Sequence, residues 1–446
     1  MNISRAAVLG AGKSGISAAR ALKKMGTTVF ISDSRPASEI APQSLRVIRR
    51  FSHELGQHSE KILAQDLIVV SPGIHLDLPI LKKARKKNIE ILGEIELGWQ
   101  LGGFKNVLAV TGTNGKTTTV SLLGHMCKKA GLKTLVAGNI GSPLCDYIGQ
   151  ADRFERTVLE ISSYQLESSV AFRPDVACVL NLTADHLERH HTLRGYSLAK
   201  QRIFMNQTTL DYAVLNLDDA WCKKMSTGNA NRIFFSTNKS LKAGVFYDRK
   251  FKKIRFSVDG KKGVLPLPAH LPGLHNIENA CAAAAMALAS KVPPAAIAKS
   301  LLTFKGVEHR IETVLTLRGV GFINDSKATN VDSTAKALQA LHQPLWLILG
   351  GQDKGSPYAP LKPLIKKKVK GILMIGEAAK IIEKGLGKAA PMFHCGTLDR
   401  AVSEAFKRAE SGDAILLSPA CASFDQFKNF EDRGNRFKAF VRRLKS

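Results

Sequence analysis

The chain has 446 residues, enough for about three domains of ordinary size, and its 44% hydrophobic and 23% charged content excludes the disordered and fibrous classes. No apolar run reaches membrane-span length, no secretory signal opens the chain, and seven cysteines lack metal or disulfide spacing, so a cytoplasmic, reducing location is expected. Lysine and arginine outnumber aspartate and glutamate by 65 to 37, a formal charge of +28 that attracts polyanions.

Short β-branched runs alternate with helical patterns along most of the chain, the pattern of doubly wound α/β sheets. The first block opens with the strand run AAVLG, a glycine loop and the helix pattern SGISAARALKKM, followed by the strand runs TVFIS and LIVVSPG. Gly10, Gly12 and Gly15 form G-x-G-x-x-G between strand and helix, and Asp33 closes the next strand 21 residues after Gly12. Glycines there allow a tight turn and close approach to a diphosphate. The helix start supplies free N–H donors, and the acid can take a ribose hydroxyl. A nucleotide site is expected, with NAD as the default ligand of such a loop. Lys13 and Ser14 lend it the look of an ATP loop, but no metal-holding acid ends a neighbouring strand of this block.

A second block begins at NVLAVTG and runs through TLVAG, RTVLEIS and VACVLNL to AVLNLDD. In TGTNGKTTT, Gly112 and Gly115 free the backbone, Lys116 can reach outer phosphates and Thr117 offers a hydroxyl to Mg2+, although Val110 stands where the strict pattern has glycine. Glu160 ends RTVLEIS and supplies the hard oxygen that ATP chemistry needs for its metal, since an unpaired acid in a buried strand is otherwise costly. NLTADHLERHH lies at the next strand end with Asp185 and His186; His186 and His190 stand four apart, but without the adjacent glutamate of a zinc protease. On pattern alone Lys200, in SLAKQRIF, reads as a solvated helix lysine. Residues 232–264 change character, with RIFFS, VFYD and KIRFSV reading as hairpin-like strands, before the helix NIENACAAAAMALAS.

A linker, FKGVEHRIET at 304–313, leads to a third alternating block of GVGFINDS, LWLILGG, GILMIG and DAILLSP, closed by a basic helix from about Asp425. Domain boundaries are expected near 97 and 306, giving segments 1–97, 98–306 and 307–446. The basic residues are spread along these elements, as in KKARKKN (82–88) and IKKKVK (365–370), with no aromatic-and-basic recognition module. That favours a solvated surface gathering phosphate-bearing small molecules over a nucleic-acid interface.

TGTNGKTTT, GNIGSP (138–143), LEISSYQLE, NLTADHLERH, LPGLHNIEN and EHRIE resemble, in content and order, the ATP-dependent Mur ligases, which build the peptide of bacterial cell-wall precursors. INDSKATN (323–330), LILGGQDKG (347–355) and LLSPACASFDQFKNFEDRGNRF (416–437) look like the branch that joins D-glutamate to UDP-N-acetylmuramoyl-L-alanine. The resemblance covers all three blocks. It implies an N-terminal Rossmann-like domain for the UDP-substrate, a central P-loop ATPase-like parallel sheet with a small antiparallel sheet, and a C-terminal Rossmann-like domain for the amino acid. It further implies a monomer that uses ATP and Mg2+, converts a substrate carboxylate to an acyl phosphate, and closes its domains over the substrates.

By the same resemblance, Gly112, Thr113, Asn114, Gly115, Lys116, Thr117 and Thr118 cradle the ATP phosphates, and Asn276, Asn279, Arg310 and Asp325 contact the nucleotide. Thr117 and Glu160 would hold one Mg2+ and His186 would help hold a second near the acyl phosphate, with Lys200 as a carbamate beside the metal, and Lys116, Glu160, His186 and Lys200 are the implied catalytic group. The first loop then takes the UDP-sugar. Lys13, Ser14 and Gly15 meet its diphosphate, Asp33, Ser34 and Arg35 surround the uridine, Ser71, Pro72 and Gly73 lie nearby, and Asn139 meets the muramoyl group. Lys354, Thr329, Ser423 and Phe430, with Lys327, would surround D-glutamate. Lys13 and Ile311 stand where family members differ, and the large positive charge is no family requirement. The rival readings are an NAD-dependent oxidoreductase on the first loop, a non-catalytic nucleotide switch, and folylpolyglutamate synthase, which shares the middle block.

Overall fold

The computed structural model of the chain describes residues 3–444 and contains three sheets. In the first, β1 (Arg5–Leu9), β2 (Thr28–Asp33), β3 (Ser52–Leu55), β4 (Leu67–Val70) and β5 (Glu90–Gly93) are all parallel in the order β3-β2-β1-β4-β5. The inner strands are apolar because both of their faces are covered; Ala6 to Leu9 and Leu67 to Val70 are buried throughout. The strand order reverses at β1, so the loops leaving β1 and β4 flank the crevice where doubly wound sheets bind ligands.

The second sheet has nine strands: β6 (Val107–Thr111), β7 (Thr134–Gly138), β8 (Arg156–Glu160), β9 (Val176–Val179), β10 (Tyr212–Asn216), β11 (Asn231–Ser236), β12 (Gly244–Asp248), β13 (Lys253–Val258) and β14 (Lys261–Leu265). Their order is β14-β13-β12-β11-β10-β9-β6-β8-β7. The RIFFS strand β11 differs from the hairpin expectation. It pairs in parallel with both β10 and β12, which buries Ile233 and Phe235, and only β12 to β14 are antiparallel. The antiparallel strands therefore extend the central sheet itself.

The third sheet contains β15 (Glu312–Leu317), β16 (Val320–Asn324), β17 (Leu345–Gly350), β18 (Val369–Ile375), β19 (Met392–Gly396) and β20 (Ala414–Leu417), ordered β15-β16-β20-β17-β18-β19. Part of the expected linker is strand. Glu312 to Leu317 pairs antiparallel with β16 through a bulge between Thr313 and Leu315. The last helix runs Phe430–Arg443 and starts later than expected, because the Asn429 side chain accepts the Asp432 N–H at 2.7 Å and fixes its start.

Two compact units emerge, residues 1–268 with 277–304, and residues 269–276 with 305–446. The first unit holds the first two sheets, and the helix Glu94–Gly102 spans the expected boundary at 97. All seven cysteines are buried and unpaired, and among the described residues no helix is long and apolar enough to cross a membrane.

Candidate active site

The order of the second sheet puts β6 between β8 and β9, so three strand ends converge on the loop after Thr111. Gly112 and Gly115 take φ of 150° and 87°, values that L side chains rarely adopt, and a Cβ on Gly115 would lie 2.2 Å from Asn279 Oδ1. Asn181, just beyond β9, pins the loop. Its Oδ1 accepts the Asn114 N–H at 2.9 Å, its Nδ2 donates to Asn114 O at 3.2 Å, and its carbonyl accepts the Thr113 N–H at 3.0 Å. The helix Lys116–Lys129 starts directly from this loop, aiming its first N–H groups at the space an anion would occupy.

Lys116 Nζ donates to Gly112 O and Thr113 O, both at 2.8 Å, so the ammonium folds over the loop. Register places Glu160 directly beside Val110. The Glu160 side chain is buried; Oε1 accepts from Asn139 Nδ2 at 2.9 Å, and Oε2 finds no hydrogen-bond partner among the described residues. A buried carboxylate oxygen left bare beside a phosphate-type loop fits a hard divalent cation. Among the described residues no three His, Cys, Asp or Glu cluster as a ready metal site, so such a cation would draw on Glu160, the Thr117 hydroxyl and phosphate oxygens.

Lys200 is not the solvated lysine its sequence pattern suggests. It is 1% exposed, its Nζ donates to Gly112 O at 3.0 Å, and the ammonium lies 4.4 Å from the Tyr196 ring centre. Burial, reinforced by the Lys116 charge, holds its pKa well below the ordinary lysine value. His186 has φ of 55°; its Nδ1 lies 2.9 Å from Tyr164 Oη, and its Nε2 lies 3.7 Å from Asp185. His190 is buried against Ser163 at 3.0 Å and Glu167 at 3.2 Å, which gives it a packing role.

In the first loop, Gly15 packs so closely that a Cβ would meet Gly10 O at 1.9 Å, and Ser71 Oγ donates to the same carbonyl at 2.9 Å. Asp33 receives Ala11 N at 2.6 Å and Arg35 through N, Nε and Nη2 at 2.8–3.0 Å. Burial would raise the Asp33 pKa, but the hydrogen bonds from Arg35 and Ala11 outweigh it and hold the group below its ordinary value. Lys13 donates to Gly141 O, which joins this loop to the GNIGSP turn that carries Asn139. Ser14, Ser71 and Pro72 are half-buried, while Ser34, Arg35 and Gly73 are exposed.

The second unit has a small cleft lined by His275, Arg310, Asp325, Lys327, Ser333 and Lys336. Asp325 is buried there, accepting Ser418 Oγ at 2.7 Å and Ile311 N at 3.2 Å, and burial pushes its pKa up to about 7. Lys327 Nζ sits 4.7 Å from the Phe430 ring centre, and Thr329 N donates to Lys327 O at 2.9 Å. Gln352 and Ala422 exchange two backbone hydrogen bonds at 3.0 Å, which brings the loop of exposed Lys354 alongside that of buried Ser423.

All three parts of the chain match descriptions of one family. Residues 4–93 match "Mur ligase MurD-like, N-terminal domain", residues 110–287 match "Mur ligase middle domain", and residues 309–421 match "Mur ligase, glutamate ligase domain". Proteins named UDP-N-acetylmuramoylalanine--D-glutamate ligase from Koribacter versatilis and Elusimicrobium minutum are each 44% identical over 99% of this chain, covering 97% and 98% of their own lengths. The chain belongs to the Mur ligase family. Solved structures share the Mur ligase fold at lower identity. A pseudomurein peptide ligase type C from Methanothermus fervidus matches with TM-score 0.62 and 21% identity over 99% of this chain and all of its own. UDP-N-acetylmuramate-alanine ligase MurC from Thermotoga maritima matches with TM-score 0.61 and 19% identity over 100% and 99% of the two chains.

Within this Mur ligase, Gly112, Lys116, Thr117, Glu160, Lys200 and Asn279 are gathered around one loop of the first unit, and Asn139 donates to Glu160 Oε1 at 2.9 Å. Asn276 bonds Pro272 O at 2.7 Å at the start of its helix. Sequence reasoning assigned no role to Asn181, although it opens the NLTADHLERH motif. It also missed Arg433, fully buried in the last motif. That guanidinium donates to Ser326 Oγ and O, Cys421 O and Ala422 O at 2.9–3.2 Å, tying the loop of Lys327 to the loop of Ser423. Its only signal was an arginine beside a glycine, Gly434, whose missing Cβ makes room for His309.

Proposed function

We infer that this Mur ligase joins D-glutamate to UDP-N-acetylmuramoyl-L-alanine at the expense of ATP, within peptidoglycan precursor synthesis. The substrate pair follows the names of relatives that match across nearly the whole chain. The single observation supporting the chemistry is the bare Glu160 carboxylate oxygen beside the loop that carries Lys116 and Thr117. A carboxylate is a poor acyl donor. It gains a leaving group by taking the γ-phosphoryl of ATP; the amine of D-glutamate then attacks the carbonyl carbon, loses a proton and expels phosphate.

Mg2+, when bound, would neutralise charge on the phosphoryl oxygens; Thr117 and Glu160 are the side chains assigned to one ion, and His186 to a second near the acyl phosphate. Lys116 and the N–H groups of residues 112–118 hold the phosphates. We assign the first loop, with Lys13, Ser14, Gly15, Asp33, Ser34, Arg35, Ser71, Pro72 and Gly73, to the UDP moiety. In the second unit Arg310 and Asp325 serve the nucleotide, and Lys327, Thr329, Lys354, Ser423 and Phe430 serve D-glutamate. Burial lowers the Lys200 pKa and so favours the free amine that carbamylation needs: its nitrogen lone pair would bond the carbon of CO2, a proton would leave, and the anion would form beside Lys116, which shares the Gly112 carbonyl. The reading also has segments 1–97, 98–306 and 307–446 as the three domains of a cytoplasmic monomer.

An NAD-dependent oxidoreductase leaves Lys116 and Glu160 without work, and folylpolyglutamate synthase does not account for relatives of the D-glutamate type at 41–44% identity. Phosphate release is the decisive measurement. With ATP, Mg2+ and UDP-N-acetylmuramoyl-L-alanine, release is expected on adding D-glutamate and not L-glutamate or other D-amino acids. Release that is indifferent to the amino acid would remove the assignment.

A further inference from the structure

Part of the +28 charge is concentrated where none of the assigned substrate roles falls, on the antiparallel edge β12 to β14 of the central sheet. Residues 239–262 hold nine lysines and arginines against two acids, Asp248 and Asp259. Both acids are engaged, Asp248 by Arg255 Nε at 2.6 Å and Asp259 by Tyr212 Oη at 2.6 Å. Among the described residues, Arg255 is the only one of the nine cations paired with a carboxylate.

Strand alternation separates the two faces of this edge. Ile254, Phe256 and Val258 of β13 are buried, while Lys253 and Arg255 point the other way. Register puts Arg255 opposite Val264 of β14, which is 46% exposed. Phe251, in the turn between β12 and β13, is 55% exposed, with Lys250 Nζ and Arg255 Cζ at 5.5 and 5.2 Å from its ring centre. The outer surface of the edge is thus a basic field, with Lys252 and Lys262 also exposed, and two apolar side chains set into it.

We propose that this hairpin edge docks the enzyme onto an anionic phospholipid bilayer. Clustered lysines are drawn to the negative potential of such a surface, and their stems lie along apolar material while the ammonium groups meet lipid phosphates. Phe251 and Val264 would enter the headgroup boundary, a gain that a purely solvated basic face does not need. Single-stranded nucleic acid also binds basic and aromatic surfaces, but it needs an open ring face for stacking, and here two cations already cap the ring.

Co-sedimentation of the full chain with vesicles tests this, comparing mixed phosphatidylglycerol and phosphatidylcholine with phosphatidylcholine alone. Binding is expected only to the mixed vesicles, weakening with salt. The triple variant K250E/K252E/K253E should lose about a hundredfold in affinity or more. The control K82E/K86E/K87E, with the same change in net charge on exposed positions of the first domain, should lose far less. Phe251→Ser should lose about tenfold at every salt concentration. Unchanged melting midpoints establish that the variants fold. Absence of binding to mixed vesicles, equal losses in the two triple variants, or tighter binding of a single-stranded oligonucleotide that ignores Phe251→Ser would each overturn the proposal.

Discussion

Lys116 and Lys200 donate to the same carbonyl, that of Gly112, at 2.8 and 3.0 Å. Burial lowers the Lys200 pKa, and the repulsion of the neighbouring Lys116 ammonium lowers it further. Removing Lys116 has two expected effects. If Lys116 holds the phosphates as proposed, Lys116→Ala should cut ATP-dependent phosphate release by about a thousandfold. It should also raise the Lys200 pKa in part, with burial still holding it below the lysine range, observable by NMR of a labelled lysine. If Lys200 acts as a carbamate, Lys200→Ala should regain part of its activity when short carboxylic acids are added, and Lys200→Arg should not. None of this crowding was legible in SLAKQRIF, because spacing gives a helix but not which face a distant loop will cover. Glu160 was legible for the opposite reason. An acid closing an apolar strand next to a phosphate-type loop needs a partner, and the register delivers it there.

Between elements, the helix Glu94–Gly102 carries more than its length suggests. Glu96 accepts the N–H groups of Val170, Ala171 and Phe172, each at 2.9 Å, and Glu94 accepts Cys145 N at 2.7 Å. Glu96→Ala would leave three amides of one turn without acceptors, and a loss of about 3 kcal/mol is expected in chemical denaturation. Glu94 predicts a pH effect. Burial raises its pKa from 4.5 to about 7, so the folded state binds the extra proton between those values. Its contribution to stability is therefore full below about pH 4.5 and declines as pH rises through about 7. Denaturation midpoints measured across that window should flatten in Glu94→Gln. The inner strands around these helices could be read from sequence because both faces are buried, as in LIVV of β4. SHEL of β3 and ETVLTL of β15 are partly exposed edge strands whose mixed composition looks like loop, and both escaped notice. The last helix was misplaced by five residues, since the Asn429 cap outranks the helix-like composition that precedes it.

For the molecule as a whole, the basic excess predicts how it meets its substrates. UDP-sugar and ATP are strongly anionic, so association should slow with ionic strength, and kcat/KM for both should fall several-fold between low and physiological salt. D-Glutamate, with a single net negative charge, should show a weaker dependence, and steady-state kinetics over a salt series separates the three. The three alternating blocks were legible because each repeats strand, loop and helix. The continuity of the nine-stranded sheet was not, since a parallel strand such as β11 and a hairpin strand look alike over six residues.

Seven thiols shut away from solvent give this enzyme a built-in reporter of its own opening. An alkylating reagent should find nothing to attack in the resting protein, and each adduct that forms with time marks a local breach of the packing around one sulfur. Cys395 and Cys421 report on the C-terminal sheet, and Cys127 and Cys178 report on the strands and helix that hold the phosphate loop. Nucleotide should slow the second pair selectively.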